Sequence, residues 1–266
     1  MIKVNDVVIN QDHFSSGELK IKFSNYNSIM DKVWCNIEWY YENDSELFTL
    51  ICLRKHFDSN CLCYLYMPYL PHARMDRTKN EEDIFTLKYF CEIINSLNFA
   101  EVRILDAHSN VGPALLNNVT NQSAFSYIDR AINKCDNGNL ALFFPDEGAM
   151  KRYSDLFPTY KYAFGIKKRN WETQKIEGLS IIYPENIVGK DILIIDDICS
   201  YGNTFVRATA ALKEAGAKSV NLYITHCENA IVKGDVFKVI DRVFTTNSLV
   251  HTDEVKEKIE YISALY

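Results

Sequence analysis

The sequence has no hydrophobic run long enough to cross a membrane. Its most apolar stretch, residues 61–70, has about half of the ~20 residues that a membrane-spanning helix needs. The first residues, MIKVNDVVI, contain neither a long apolar core nor a small-residue cleavage site, so they do not resemble a secretory signal. We therefore expect a cytoplasmic protein that has no membrane partner.

A basic surface and closely paired cysteines are also lacking. The net charge is -6 and the pI is near 5.6, which argues against a nucleic-acid partner but leaves room for a local phosphate pocket. None of the eight cysteines forms a CxxC pair, which disfavours a zinc site. Cys61 and Cys63 sit in apolar sequence with no histidine nearby, so we expect buried, reduced thiols.

Length and composition indicate a globular chain of one large or two ordinary domains. It has 266 residues, of which 47% are hydrophobic and 24% charged. Strand-like and helix-like segments alternate in both halves, which predicts an α/β fold. We place the domain boundary near residue 120, giving domains 1–120 and 121–266.

Several elements follow from periodicity alone. Helical spacing predicts a helix over Glu82 to Asn98 and an amphipathic terminal helix over Asp253 to Leu265. Apolar runs predict strands over Leu140 to Phe144 and Val239 to Thr246.

The most informative stretch joins a buried strand to a helix. Ile192 to Ile195 form an unbroken aliphatic run, typical of a strand buried on both faces. Asp196 and Asp197 follow it, then a loop of small and polar residues over 199–204, and a helical period begins at Phe205. A helix start offers free N–H donors and a positive dipole to a phosphate, and carboxylates accept bonds from sugar hydroxyls or hold Mg²⁺. The alternative is an ordinary βα turn whose acidic residues only cap the helix.

The segment IIDDICSYGNT resembles the phosphoribosyl-binding loop shared by type I phosphoribosyltransferases and phosphoribosyl-pyrophosphate (PRPP) synthetases. The resemblance implies two phosphoribosyltransferase-like domains, each a mainly parallel sheet flanked by helices. It also implies that a ribose phosphate is held by Asp196, Asp197, Cys199, Ser200, Tyr201, Gly202, Asn203 and Thr204.

Two loops in the first half resemble those with which the synthetases bind ATP. FSSGE is similar to a Phe-Ser-x-x-Glu loop that receives adenine across a subunit boundary, which implies roles for Phe14, Ser16 and Glu18 and at least a homodimer. ARMDR is similar to a segment at the ATP phosphates, which implies that Arg74, Met75 and Asp76 lie there. Charged loops of this kind are otherwise usually solvated surface.

Three further segments carry the resemblance. DAHS implies that His108 lies at the ATP phosphates and their magnesium, with Asp106 orienting the loop; structural histidines are common at such positions. PDEGAMKRY implies Asp146 as a magnesium ligand, together with the acidic pair and His108. KKRNWETQKIEG resembles a flexible catalytic loop, which makes Lys167 and Arg169, together with His108, the catalytic candidates; its charge also suits a surface hairpin.

The activity implied by this resemblance is the Mg²⁺-dependent transfer of the diphosphoryl group of ATP to the anomeric hydroxyl of ribose 5-phosphate, which releases AMP. The chain is shorter than most family members, and its phosphate loop reads Ser-Tyr-Gly-Asn-Thr where the family has Asp-Thr-x-Gly-Thr. A larger acceptor such as ADP-ribose, feeding NAD synthesis, is therefore an alternative. Two further alternatives are a phosphoribosyltransferase that consumes PRPP and an inactive relative that acts as a regulatory subunit.

Overall fold

The computed structural model describes residues 1–22, 33–57, 61–169 and 176–263. It divides into two compact units: Met1–Ser123 with Ser248–Val250, and Ala124–Asn247 with His251–Tyr266. Within the described residues, no helix is both long and apolar enough to span a bilayer.

Among its described residues, the first unit has a six-stranded sheet in the order β2-β1-β5-β6-β7-β8 and a separate hairpin, β3-β4. Strand β1 is antiparallel to both its neighbours, whereas β5 to β8 are parallel. The strands are β1 (Ile2–Val4), β2 (Val7–Val8), β3 (Asn10–His13), β4 (Leu19–Lys22), β5 (Trp34–Trp39), β6 (Leu62–Tyr66), β7 (Glu101–Leu105) and β8 (Val119–Gln122). The helices are α1 (Ser45–His56), α2 (Thr86–Ser96) and α3 (Val111–Leu115).

Alternation of side chains builds the core of this unit. On β5, Cys35, Ile37 and Trp39 are fully buried, as expected for residues two apart that share one face of a strand. On α2, Leu87 and Phe90 are among the buried residues, which gives the helix an apolar face toward the same core. Period-two and helical patterns thus converge on one hydrophobic cluster.

The described part of the second unit has a seven-stranded sheet in the order β11-β10-β9-β12-β13-β14-β15. Strands β10 and β11 are antiparallel and the remaining pairs are parallel. The strands are β9 (Leu140–Phe144), β10 (Tyr162–Arg169), β11 (Ile176–Ile182), β12 (Asp191–Cys199), β13 (Ser219–Cys227), β14 (Val243–Thr245) and β15 (Glu260–Tyr261). The helices are α4 (Phe125–Cys135), α5 (Glu147–Tyr153), α6 (Asn203–Glu214), α7 (Val236–Val239) and α8 (Asp253–Lys256), with 3₁₀ turns at Ser154–Leu156, Pro184–Asn186 and Asn229–Lys233.

The central strands explain the continuous aliphatic runs of the sequence. Every residue of β9 is buried, and so are Asp191 to Ile195 of β12. A central parallel strand is covered on both faces and cannot alternate apolar with polar side chains. The predicted strand at Leu140 to Phe144 and the predicted α/β class with mainly parallel sheets are both confirmed.

Strand β12 is longer than predicted. It runs to Cys199, so Asp196 and Asp197 lie on the strand instead of after it, and the loop before α6 contains only residues 200–202. Backbone pairing with β13 continues through Ile198 and Cys199, which keeps the acidic residues in extended conformation. The predicted helix from Phe205 is confirmed, with two further residues at its start.

The helix predicted from Glu82 begins at Thr86 instead. Residues before it form a side-chain-capped turn, in which an Asp83 carboxylate oxygen accepts from the backbone N–H groups of Lys79 and Asn80. The Asn80 side-chain oxygen in turn accepts from the N–H groups of Glu82 and Asp83. Such local bonds compete with the helical ladder.

Two predictions near the carboxyl end are wrong. The strand expected from Val239 begins at Val243, because Val236–Val239 are helical. The terminal helix expected over Asp253 to Leu265 ends at Lys256, and the chain then adds β15 beside β14.

Candidate active site

The acidic residues of the second unit lie at the carboxyl ends of two neighbouring strands. Strand β12 pairs in parallel with β9, so Asp196 and Asp197 near the end of β12 are close to the segment that follows β9. Asp146 is in that segment, where it caps α5 by accepting a hydrogen bond of 3.1 Å from the Ala149 N–H. In open α/β sheets, this edge is where ligands bind.

The electrostatics at this edge are those of crowded negative charge. Burial is the main cause that raises the pKa of Asp196 well above its usual value, and the negative charges of Asp197 and Asp146 raise it further. The Asp196 carboxylate accepts a 2.9 Å hydrogen bond from the Asp197 N–H, which opposes the shift. A cationic ligand here would favour the ionised form.

Asp197 is held by an arginine that the sequence analysis did not include in the site. Arg152 Nη1 lies 3.1 Å from Asp197 Oδ1, and the Asp197 side chain is only 4% exposed. The signal was helical spacing: Arg152 is three residues after buried Ala149 on α5, and residues three apart share a face of a helix.

The oxygen donors of Asp146, Asp196 and Asp197 are of the kind that binds Mg²⁺. Carboxylate oxygens are the ligands this ion prefers, and Asp146 and Asp196 supply them. Within the described residues, none of the three carboxylates belongs to a tight group of metal-ligating side chains. The residues therefore fit an ion that is held by one or two carboxylates and by substrate oxygens, which is the usual arrangement for Mg²⁺, and do not fit a closed protein cage.

The connection from β12 to α6 is a tight turn with a buried glycine. Gly202 has φ 77°, in the left-handed region that favours glycine, and a Cβ there would lie 2.0 Å from Val236 Cγ2. The first helical residues, Asn203 and Thr204, are exposed, and Tyr201 is 51% exposed. The amino end of α6 therefore faces solvent, with N–H donors and the positive end of the dipole available to an anion.

A second glycine, Gly234, packs against this turn, and sequence reasoning did not place it at the site. A Cβ at Gly234 would lie 2.0 Å from the carbonyl oxygen of Tyr201, so the backbone after the Asn229–Lys233 turn packs directly on the loop. The contact depends on tertiary folding and leaves no local motif.

In the first unit, the Phe14 loop is the turn of the β3-β4 hairpin. Phe14 N–H donates to the Glu18 carbonyl at 2.9 Å, and the Ser16 hydroxyl donates to Glu18 Oε2 at 2.7 Å. Phe14 is 54% exposed, with the Lys20 ammonium 5.4 Å from its ring centroid. An exposed aromatic ring beside a cation and hydroxyl and carboxylate groups is suited to a planar, polar-edged ligand.

The other predicted nucleotide residues lie on loops that follow adjacent parallel strands. The loop after β6 carries exposed Arg74 and Met75 and buried Asp76, whose Oδ1 lies 3.2 Å from Arg77 Nε. The loop after β7 carries His108, which is partly buried. The two loops thus begin at one edge of the sheet.

The loop after β7 starts with an unusual backbone conformation. Asp106 is buried and has φ 47°, while its N–H donates to the Gln122 carbonyl and the Ala107 N–H donates to Asn121 Oδ1 at 3.1 Å. A non-glycine residue in the left-handed region costs about 1 kcal/mol or more, and such residues are concentrated at functional sites.

Lys167 and Arg169 lie on the backbone of β10, in register with Leu179 and Ile176 of β11. The register shifts between Lys168 and Arg169, a bulge that marks the end of regular pairing. The rest of the predicted catalytic loop, residues 170–175, lies outside the described residues. The predicted site residues thus form two sets: an acidic and phosphate-loop set with β10 in the second unit, and three loops in the first.

Much of the chain is similar in sequence to known proteins. A family model described as "Phosphoribosyl transferase domain" matches residues 157–257. A ribose-phosphate pyrophosphokinase of Pyrococcus furiosus is 26% identical over 197 residues, 70% of this chain and 66% of that protein. One from Nitrosomonas europaea is 30% identical over 194 residues, 71% of this chain and 59% of its own length. The chain thus spans about two thirds or less of these relatives.

A solved structure shares the fold over almost the whole chain. Phosphoribosylpyrophosphate synthetase from Mycobacterium smegmatis superimposes with a TM-score of 0.78 at 18% identity, covering 97% of this chain and 87% of that one. The sheets are mainly parallel, and an acidic strand end is followed by a glycine turn and an open helix start. These features define a protein of the type I phosphoribosyltransferase-like class. Residues 157–257 thus match the phosphoribosyl transferase domain family, and about 70% of the chain is similar in sequence to ribose-phosphate pyrophosphokinases (PRPP synthetases).

Proposed function

We propose that this protein transfers the diphosphoryl group of ATP to the anomeric hydroxyl of ribose 5-phosphate, which yields PRPP and AMP. The observation that supports this most is the combination at the end of β12: Asp196 and Asp197, a turn closed by buried Gly202, and the exposed start of α6. Sequence similarity to ribose-phosphate pyrophosphokinases supports the same reaction.

The acceptor binds along this edge of the second unit. Its 5′-phosphate accepts hydrogen bonds from the N–H groups of residues 200–204 at the start of α6. The two carboxylates accept hydrogen bonds from the ribose hydroxyls. Arg152 is a positioning residue, because its ion pair fixes the Asp197 side chain.

Mg²⁺ belongs to this site as a co-substrate ion. Asp146 and Asp196 would hold it in the second unit. The ion would neutralise the charge of the diphosphoryl oxygens. Only an ionised carboxylate binds the cation. Because the pKa of Asp196 is raised, cation binding should strengthen as the pH increases.

ATP is recognised by loops of the first unit. Phe14 stacks on adenine while Ser16 and Glu18 meet its polar edge, and Arg74, Met75, Asp76 and His108 line the phosphates. In this proposal the hairpin serves the adenine bound by a second copy, so the active protein is at least a homodimer.

Transfer needs orientation and charge neutralisation more than acid–base chemistry. Negative charge develops on the oxygens of the migrating group, and Lys167 and Arg169 supply two cations to stabilise it. The anomeric hydroxyl attacks the β-phosphorus, the bond to the AMP oxygen breaks, and the hydroxyl proton is released to solvent.

A larger acceptor such as ADP-ribose is the second candidate, because Tyr201 is 51% exposed at the phosphate loop. Its ring offers a stacking surface beyond the terminal ribose phosphate, and no carboxylate occupies residues 200–204 to repel a second phosphate.

The test is an incubation with ATP, Mg²⁺ and each acceptor in turn, with products identified by mass. Formation of AMP in step with PRPP is the expected result. Greater turnover with ADP-ribose would favour the second candidate. Release of diphosphate from PRPP with a nucleobase would indicate a phosphoribosyltransferase, and no AMP with either acceptor would favour an inactive relative.

A further inference from the structure

Three cysteine side chains meet in the core of the first unit. Cys35, Cys61 and Cys63 are all buried, and their sulfur atoms lie within 4.8 Å of one another. Cys35 Sγ and Cys63 Sγ are 3.0 Å apart. The group is at the amino-terminal ends of β5 and β6, opposite to the strand ends that carry the nucleotide loops.

Strand register brings these sulfurs together. Cys35 and Cys63 are direct partners in the parallel β5-β6 pair, so their side chains leave the sheet side by side. Cys61 is two residues before Cys63 and therefore projects to the same side. Packing as small hydrophobes explains why each cysteine is buried, but it does not require three sulfurs to be adjacent.

A cation accompanies the cluster. Arg54 on α1 has a buried Nε that finds no hydrogen-bond partner among the described residues. The positive charge of Arg54 acts on Cys61 and Cys63, and a cation beside a cysteine stabilises the thiolate, which is the form that binds metals.

We propose that Cys35, Cys61 and Cys63 form a three-coordinate site for one soft, closed-shell metal ion, Cu(I) in particular. Metal–thiolate bonds of about 2.3 Å require sulfurs about 4 Å apart, which a small opening of the Cys35–Cys63 pair provides. Among the described residues the group has no fourth histidine, cysteine or carboxylate ligand, whereas structural zinc sites use four. Soft thiolates favour Cu(I), zinc and iron–sulfur clusters, and a set of three sulfurs without a fourth ligand favours Cu(I) among them.

Binding converts the three thiols to thiolates, and their protons are released to solvent without any change in oxidation state. The bound ion would tie β5, β6 and the segment before β6 together. This site is independent of the proposed transfer reaction.

The test uses the full-length chain under anaerobic conditions with Cu(I) supplied as its coloured bicinchoninate complex. Wild-type protein should remove about one ion per chain from the complex, and its thermal midpoint should rise on loading. Cys63→Ala should weaken binding by at least about 100-fold, because a direct ligand contributes more than the tenfold to 100-fold of outer-shell groups. Cys91→Ala is the matched control, since Cys91 is a buried cysteine of the same core outside the cluster.

Two further variants protect the test against a folding defect in Cys63→Ala. Cys61→Ser alters the most exposed member of the cluster, at 9%, and should also abolish tight binding. Arg54→Gln keeps all three sulfurs and should weaken binding about tenfold. The proposal is overturned if wild-type protein takes no Cu(I), if Cys61→Ser binds as tightly as wild type, if Zn(II) is preferred, or if mass analysis finds a Cys35–Cys63 disulfide in the purified protein.

Discussion

Arg152 Nη1 lies 3.1 Å from Asp197 Oδ1, and this ion pair joins α5 to the strand end that carries the acidic pair. Removing one member of a buried ion pair leaves the other charge uncompensated. When both members are fully buried, this lowers the free energy of unfolding by about 3–5 kcal/mol. Because the Arg152 side chain is 25% exposed, Arg152→Met should lower the free energy of unfolding by about 2 kcal/mol, less than that range. Urea denaturation measures the change.

The adjacent Lys151 supplies the control. It faces Glu147 at 3.7 Å on the exposed side of the same helix, where such pairs contribute less than about 0.5 kcal/mol. Lys151→Met should therefore have little effect. Equal losses in the two variants would contradict the positioning role of Arg152, and so would a double-mutant cycle of Arg152→Met with Asp197→Asn that shows no coupling.

Gly202 and Gly189 separate backbone strain from steric conflict. Both have positive φ, 77° and 70°, but a Cβ at Gly189 meets nothing within 4 Å whereas one at Gly202 meets Val236 Cγ2 at 2.0 Å. Gly189→Ala should cost about 1 kcal/mol from strain alone. Gly202→Ala should cost about 2–4 kcal/mol, with overpacking added to strain, and should weaken ribose 5-phosphate binding. Thermal denaturation with and without ribose 5-phosphate measures the loss of stability and the loss of binding. Equal losses of stability in the two variants would show that the Val236 side chain moves aside at no energetic cost.

His251 makes stability depend on pH. It is 4% exposed, its Nε2 lies 2.7 Å from the Cys227 carbonyl oxygen, and its Nδ1 lies 2.7 Å from the Tyr261 hydroxyl. A carbonyl only accepts, so Nε2 carries the proton and Nδ1 accepts from Tyr261, which satisfies the neutral ring. Burial lowers the pKa of His251 below 6.5, and Lys256 lowers it further, against the carbonyl bond.

The unfolded chain therefore binds a proton near pH 6.5 that the folded chain does not bind until lower pH. Stability is full above this value and declines as pH falls from about 6.5 toward the folded pKa, by up to about 1.4 kcal/mol per pH unit. His251→Gln should flatten this part of the curve, while His13→Gln, at an exposed position on β3, should leave it unchanged. Parallel curves for wild type and His251→Gln, measured by urea denaturation between pH 5 and 7.5, would refute the assignment.

Local patterns predicted the parts of the fold that depend on local physics. The aliphatic run Ile192 to Ile195 specifies a doubly covered strand, and the spacing from Phe205 specifies a helix. The extension of β12 through Asp196 and Asp197 could not be predicted, because it depends on backbone pairing with β13. The same limit applies to Arg152, whose partner Asp197 comes from a distant part of the sequence.

The carboxyl end shows how tertiary contacts override a helical pattern. Asp253 to Leu265 has amphipathic spacing, yet the chain leaves the helix at Lys256. Glu260 then receives a 2.7 Å hydrogen bond from Arg242 Nε, and the Ile262 N–H donates to the Thr245 carbonyl at 2.8 Å. Ladder bonds and an ion pair to a neighbouring strand outweigh the small propensity gain of another helical turn.

Phe14 should affect ATP binding without affecting stability. Its ring is 54% exposed, so Phe14→Ala removes little buried surface and should change the free energy of unfolding by less than about 0.5 kcal/mol. Stacking of adenine on the ring contributes about 1–1.5 kcal/mol. Losing this contribution should therefore raise the KM for ATP about tenfold. Phe14→Tyr should restore it. Phe48→Ala, at a 59% exposed phenylalanine on α1, is the control; an unchanged KM in Phe14→Ala would remove the hairpin from the ATP site.

Lys167 and Arg169 should act on turnover. If their charges stabilise the migrating diphosphoryl group only as the transfer proceeds, Lys167→Ala and Arg169→Ala should lower kcat and kcat/KM by equal factors. Removing one preorganised donor to developing charge typically costs about 100-fold in kcat or more. Lys168→Ala changes the intervening residue of β10 and is the matched control for net charge. Steady-state kinetics of AMP release, with ATP and ribose 5-phosphate varied in turn, measures each factor.

A rise in KM alone would indicate ground-state binding of ATP, because an interaction of equal strength in the ground and transition states leaves kcat unchanged. Unchanged turnover in both variants would exclude the pair from the reaction, and an equal fall in Lys168→Ala would show that the whole segment responds to lost charge rather than to two positioned cations.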